Sequence, residues 1–235
     1  MPIHAILFDK DGTLFDFADT WGAFGRNLVL RLADGDHARA AELGRVIGFD
    51  LETATYSEDS IVIAATVEEI SDLLDRHIPD MSKEELLELL NAEAAAAPQA
   101  QAVPLIPFLE GLRQAGLKLG VATNDSEAPA LQHLASVGIH EHFDFVAGYD
   151  SGHGFKPGPG QLLAFATHVG VAPENVAMVG DSLHDLQAGR AAGMTTIGVL
   201  TGIAPAEALA PMADVVLPDI GHIPGWLEKD ALKTA

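Results

Sequence analysis

From Pro104 onward the chain alternates short apolar runs with stretches of helical spacing, and this alternation restricts the fold more than any other feature. The runs are Leu117–Ala122, Phe143–Ala147, Val176–Val179, Thr195–Leu200 and Asp214–Leu217, each of strand length. Between them, Pro107–Ala115, Ala128–Val137, Gln161–Val169 and His184–Ala192 carry helical spacing, and Gly116, Gly138 and Gly193 stop three of the four. Strands that alternate with helices predict a parallel sheet covered by helices, because a parallel strand needs a crossover to return to its starting edge. Ile3–Phe8 is a further apolar run that predicts a buried strand near the N-terminus. The expected class is α/β, with a Rossmann-like parallel sheet as its core.

Residues 17–97 differ, since helical periodicity dominates there and strand-like runs are nearly missing. Expected helices are Asp19–Leu32, His37–Ile47, Ser60–Arg76 and Lys83–Ala96. The last is preceded by Ser82 with Glu85 three positions on, the pattern of a capping box. The expected organisation is a core of residues 1–16 and 98–235, interrupted by an all-helical insert at 17–97. Within the insert, the polar and irregular stretch Gly48–Glu58 is the expected substrate-facing loop.

Composition narrows the partners. The 235 residues hold 13 Lys and Arg against 34 Asp and Glu, for a formal charge of -21. Such a balance disfavours nucleic acid and anionic membranes. Cysteine is absent, which fits a reducing cytoplasm. The N-terminus has no basic start followed by an apolar core, and no run approaches the roughly 20 apolar residues of a membrane span. The expected location is cytoplasmic, as a monomer or homodimer. An acidic protein that binds an anion needs a local cationic centre, supplied by a metal or a few placed lysines.

The chain offers such a centre. Asp9 and Asp11 follow the first strand two positions apart, so both face one side before Gly12 lets the chain turn. Two carboxylates this close repel unless a proton or cation lies between them, and hard oxygen ligands suit Mg²⁺. Two later strands also end on small polar residues, Ala122-Thr123 and Gly180-Asp181. Open parallel sheets bind ligands at the carboxyl ends of their strands. If the three ends are neighbours, Asp9, Asp11, Thr123, Asp181 and Asp185 meet in one cleft, with Lys156 entering from the glycine-rich loop Gly148–Gly160. A metal, a hydroxyl and a lysine together suit a phosphoryl group. A calcium loop is a poor match, because Gly12 comes too early and Thr20 stands where the closing glutamate belongs. His153 and His184 read as solvated, and Arg45 reads as a solvated cation at a helix end.

Asp9-Lys10-Asp11-Gly12-Thr13-Leu14, Thr123-Asn124, Lys156-Pro157 and Gly180-Asp181-Ser182-Leu183-His184-Asp185 resemble, in order, the four motifs of the haloacid dehalogenase-like hydrolase superfamily. Within it, the chain looks like a phosphoglycolate phosphatase-type member, and residues 17–97 lie where such members carry a helical cap. The resemblance implies Asp9 as nucleophile, Asp11 as general acid and base, and Thr123 and Lys156 as stabilisers of the phosphate. It implies Mg²⁺ on Asp9, the Asp11 carbonyl and Asp181, with Asp185 and Ser182 in support and Gly12 and Asn124 at the phosphate. The implied substrate is a small phosphorylated metabolite, with phosphoglycolate first. The rivals are a sugar phosphomutase, which shares the nucleophile, and a non-catalytic receiver-like module phosphorylated on Asp9.

Overall fold

The computed structural model describes residues 2–57, 59–63 and 65–234. β1 (Ala5–Phe8) leads into a helical block made of α1 (Phe17–Leu32), α2 (His37–Val46), the hairpin β2 (Phe49–Asp50) and β3 (Thr55–Tyr56), α3 (Val67–Asp75) and α4 (Lys83–Ala95). The chain then returns through α5 (Leu105–Gln114), β4 (Lys118–Ala122), α6 (Glu127–Ser136), β5 (Phe145–Ala147) and α7 (Gly160–Val169). It continues with β6 (Val176–Gly180), α8 (Leu183–Ala192), β7 (Thr195–Val199), α9 (Ala206–Leu209), β8 (Val215–Leu217) and α10 (Ile223–Thr234).

Six strands form a sheet in the order β5-β4-β1-β6-β7-β8, and every pairing in it is parallel, as the alternation predicts. β1 sits inside the sheet because both its faces are apolar: Ile6 and Phe8 pack with Leu105, Leu109 and Leu134, while Ala5 and Leu7 pack with Leu162 and Phe165. Helices α5 and α6 thus cover one face, and α7 and α8 cover the other.

The helical block gathers a core of its own, from Phe17 and Trp21 through Leu43 and Ile70 to Leu90 and Ala97. Two chain crossings join it to the sheet unit, and they are bound side by side. The Asp16 amide donates to Ala100 O at 2.8 Å and the Ala102 amide donates to Leu14 O at 3.0 Å. Among the described residues, no helix is long and apolar enough to cross a membrane.

Two expectations within the block need correction. The helix expected over Ser60–Arg76 is instead a 3-10 turn at Ile61–Ile63 followed by α3, with Ala64 between them outside the described residues. A capping box at Thr66 and Glu69 starts α3 afresh: the Glu69 amide donates to Thr66 Oγ1 at 3.2 Å and the Thr66 amide to Glu69 Oε2 at 2.9 Å. The β-branched run Ile61-Val62-Ile63 before it favours helix weakly. The loop Gly48–Glu58 is the second, and its last residue, Glu58, lies outside the described residues. The hairpin turns on Asp50, whose Oδ1 accepts from the amides of Glu52 and Thr53 at 2.8 and 2.9 Å. Phe49 and Leu51 are buried in the block's own core, so the hairpin is anchored inward.

Candidate active site

The cleft is built at the carboxyl ends of the three central strands. Phe8 pairs in register with Val121 of β4 and Val179 of β6, which brings Asp9 between the residues that end those strands. The Asp9 amide donates to Val179 O at 2.8 Å and thereby extends the ladder by one residue. Asp9, Asp11, Thr123, Asn124, Lys156, Ser182 and Asp185 all line one cleft with about 630 Å³ of empty space, its open mouth included.

Lys156 is the cationic centre. Its Nζ donates to Asp9 Oδ1 and to Asp185 Oδ1, both at 2.6 Å, although the side chain is only 3% exposed. Burial works against the ammonium, but Asp185 and Asp9 outweigh it and raise the Lys156 pKa. Asn124 holds this lysine by its backbone, its Nδ2 donating to Lys156 O and its Oδ1 accepting from the Lys156 amide, each at 2.9 Å. Asp185 is held in turn from α8: Ser182 Oγ donates to Asp185 Oδ2 at 2.6 Å and the Ser182 amide donates to the same oxygen at 3.0 Å. The N-cap of α8 and the positioning of Lys156 therefore share one carboxylate, an oxygen for each task. Thr123 Oγ1 accepts from the Asp125 amide at 3.0 Å, which turns the chain after β4 into α6.

The donor set fits a hard divalent cation. Oxygens of Asp9, Asp181 and Asp185 come within 4.8 Å of one another, and all three residues are buried. Burial, with Asp185 and Asp11 adding to it against Lys156, pushes Asp9 up to about 7. Burial with the charges of Asp9 and Asp185 raises Asp181 well above the usual carboxylate range. Crowding of this kind is relieved by a cation among the oxygens, and carboxylate oxygens suit Mg²⁺. Asp181 also lies in a cradle with no room for side chains, because a Cβ at either Gly12 or Gly202 would collide with its carboxylate. Gly12 has a φ of +76° besides, a conformation that favours glycine. Its amide donates to Phe15 O at 2.7 Å, and Gly12 is not among the residues that line the cleft. The carboxylate of Asp11 is likewise outside the group of three.

Lys10 explains where that carboxylate goes, and the sequence reading missed it. This lysine is wholly buried; its Nζ lies 2.7 Å from Asp11 Oδ1, 2.6 Å from Asp11 Oδ2 and 3.2 Å from Asp125 Oδ2. It also lies 3.1 Å from His133 Nδ1 and 5.6 Å from the centroid of Trp21. Burial opposes the charge, yet Asp11 and Asp125 raise the Lys10 pKa overall. His133, pushed down to about 4 by burial and by Lys10, accepts at Nδ1 and donates from Nε2 to Ala94 O at 2.8 Å. The one signal for this in the sequence is a lysine set between two carboxylates directly after a buried strand.

Two other readings change. His184, read as solvated, lines the cleft from the start of α8. None of the described residues of 48–57 lines it; that place is taken by Val62, Ile63, Ala65 and Val67. Arg45 is exposed and is not among the residues that line the cleft, its Nε donating to Ala41 O at 3.1 Å.

A family model for hydrolases, described as haloacid dehalogenase-like hydrolase, matches residues 3–193. A phosphoglycolate phosphatase of Nitrosospira multiformis is 32% identical over 193 residues, which are 82% of this chain and 81% of that one. Among solved structures, a HAD phosphatase from Thermococcus onnurineus is 27% identical with a TM-score of 0.66, covering 97% of this chain and 98% of that chain. A β-phosphoglucomutase from Clostridium difficile has a TM-score of 0.67 at 20% identity over 98% and 99% of the two chains, a likeness of fold. The matched span runs from just before β1 to the glycine that closes α8 and so takes in every strand end that shapes the cleft: the chain belongs to the haloacid dehalogenase-like hydrolase family.

Proposed function

We propose that the protein is a Mg²⁺-dependent phosphatase that hydrolyses a small phosphomonoester through an aspartyl phosphate on Asp9. One observation carries this reading: a buried lysine touches both Asp9 and Asp185 at 2.6 Å, in a cleft that Thr123 also lines. A positive group fixed against a strand-end carboxylate suits a phosphate held for in-line attack.

In the first step an Asp9 oxygen bonds to phosphorus, the bond to the ester oxygen breaks, and Asp11 gives that oxygen its proton. In the second, water bonds to phosphorus, Asp11 takes the water's proton, and the bond from phosphorus to Asp9 breaks. The products are the free alcohol and inorganic phosphate. Lys156 and the Thr123 hydroxyl bind the phosphoryl oxygens, while Asn124 and Asp185 keep Lys156 in place. Asp9, Asp181, Asp185 and the Asp11 carbonyl would hold Mg²⁺, whose charge lets an anionic nucleophile meet an anionic phosphate. The block at 17–97 acts as a cap that keeps bulk water out while the intermediate forms. A lid of this kind has no use in a receiver-like module.

With Mg²⁺, the protein should release inorganic phosphate from p-nitrophenyl phosphate. Asp9→Asn should lower that rate by on the order of a thousandfold or more while circular dichroism stays unchanged. Unchanged turnover in the variant would remove Asp9 as nucleophile. Isomerised sugar phosphate without free phosphate would point to a mutase instead. The curated relatives carry the name phosphoglycolate phosphatase, which makes phosphoglycolate the reference substrate for the organic end of the cleft.

A further inference from the structure

The cleft has two unlike walls. Its sheet side carries the carboxylates, Thr123 and Lys156, whereas the lining side chains of the 17–97 block, among the described residues, are apolar save for the buried indole N–H of Trp21. Trp21, Phe24, Val62, Ile63, Val67 and Ile70 form most of that second wall. Trp21 and Phe24 meet edge to face with centroids 4.6 Å apart, which makes a rigid aromatic corner.

Charge decides what such a wall accepts. Phosphoglycolate carries a carboxylate beside its phosphate, and burying a carboxylate against apolar side chains is costly unless a cation or donor meets it. No cationic residue of the block lines the cleft among the described residues. Arg45 does not line the cleft and donates from Nε to Ala41 O, and Arg26 donates from Nη2 to Leu51 O at 3.0 Å. On the sheet side Lys156 is committed to Asp9 and Asp185, Lys10 is enclosed by Asp11 and Asp125, and His184 stands at the start of α8 across from the block. The other charged groups among the described lining residues are the carboxylates of Asp9, Asp11, Asp125 and Asp185, which repel a second anion.

Resting on the phosphatase reading above, we propose that the preferred substrate carries an uncharged, apolar alkyl or aryl group on its phosphate, not a second carboxylate. The apolar wall then removes that group from water as the phosphate reaches Lys156, and the gain grows with each buried methylene until the wall is filled. Val62, Ile63, Val67 and Ile70 become the residues that set specificity.

The test is a ratio of kcat/KM values for the purified full chain with Mg²⁺, using phosphoglycolate, ethyl phosphate, n-butyl phosphate and benzyl phosphate. Butyl and benzyl phosphate should exceed phosphoglycolate at least tenfold, with ethyl phosphate between them. Ile63 is half-buried in a 3-10 turn and tolerates change, so Ile63→Arg should shift the ratio toward phosphoglycolate by a factor of ten or more. Phosphoglycolate turned over faster than butyl and benzyl phosphate by the unmodified protein overturns the proposal and leaves the phosphatase reading intact. Hydrolysis of none of the four, nor of p-nitrophenyl phosphate, overturns both.

Discussion

Asp9 shows at the scale of one residue what burial does to a carboxylate at a strand end. Burial and the neighbouring carboxylates disfavour its charge and push its carboxyl up to about 7 in the folded, metal-free protein, against 3.8 for an unperturbed group. Between those two pH values the folded protein holds a proton that the unfolded chain has released. The contribution of Asp9 to stability therefore falls as pH rises from about 4 to about 7. Asp9→Asn abolishes that loss, so the variant should gain on the metal-free parent by on the order of a few kcal/mol as pH climbs through this window. Urea unfolding of both proteins at pH 5 and pH 7.5 measures it, and Mg²⁺ should shrink the difference at the higher pH. His133 titrates the other way, since its depressed value means stability is lost as pH falls from 6.5 toward about 4. That effect is common to both proteins and cancels. A difference that stays flat with pH would show the Asp9 carboxyl to be ordinary. Asp9 itself was legible in the sequence as a carboxylate at a strand end; its perturbation was not, because desolvation depends on what the fold lays over it.

At the scale of elements, Lys10 ties β1 to three helices. It meets the Trp21 ring on α1 and His133 on α6, and His133 reaches the carbonyl of Ala94 on α4. Ser126 Oγ adds a second bond between these parts, donating to Asn91 Oδ1 on α4 at 2.8 Å. Lys10→Met would leave the buried Asp125 and the half-buried Asp11 without their counter-charge, and breaking a buried pair typically costs about 3–5 kcal/mol. The expected result is a large drop in urea midpoint at pH 7.5, part of which Lys10→Met with Asp125→Asn should restore. An unchanged midpoint would mean the ion pairs contribute nothing net. The elements themselves were mostly legible, because apolar periodicity and capping residues act locally: Ser82 with Glu85 begins α4 as expected. The hairpin Phe49–Tyr56 was not. Its polar residues suggested a loop turned to substrate, while two buried side chains, Phe49 and Leu51, outweighed them.

Across the whole molecule, the formal charge of -21 repels any phosphoester before it reaches Lys156. Salt shortens the range of that field to about 8 Å at physiological ionic strength. Accordingly kcat/KM for an anionic phosphoester should rise severalfold as NaCl goes from 10 to 150 mM at fixed Mg²⁺, measured as initial rates of phosphate release. A flat or falling profile would mean that the local cationic centre, not the net charge, governs approach. The sequence by itself determined the α/β class, the parallel sheet and the strands on whose ends Asp9, Thr123 and Asp181 stand, because these follow from patterns a few residues long. Tertiary structure alone decided that Lys156 bridges Asp9 and Asp185, that Lys10 claims Asp11, and that the wall facing them is apolar. Those are contacts between residues far apart in the chain, and their energies come from desolvation and geometry that exist only once the chain has packed.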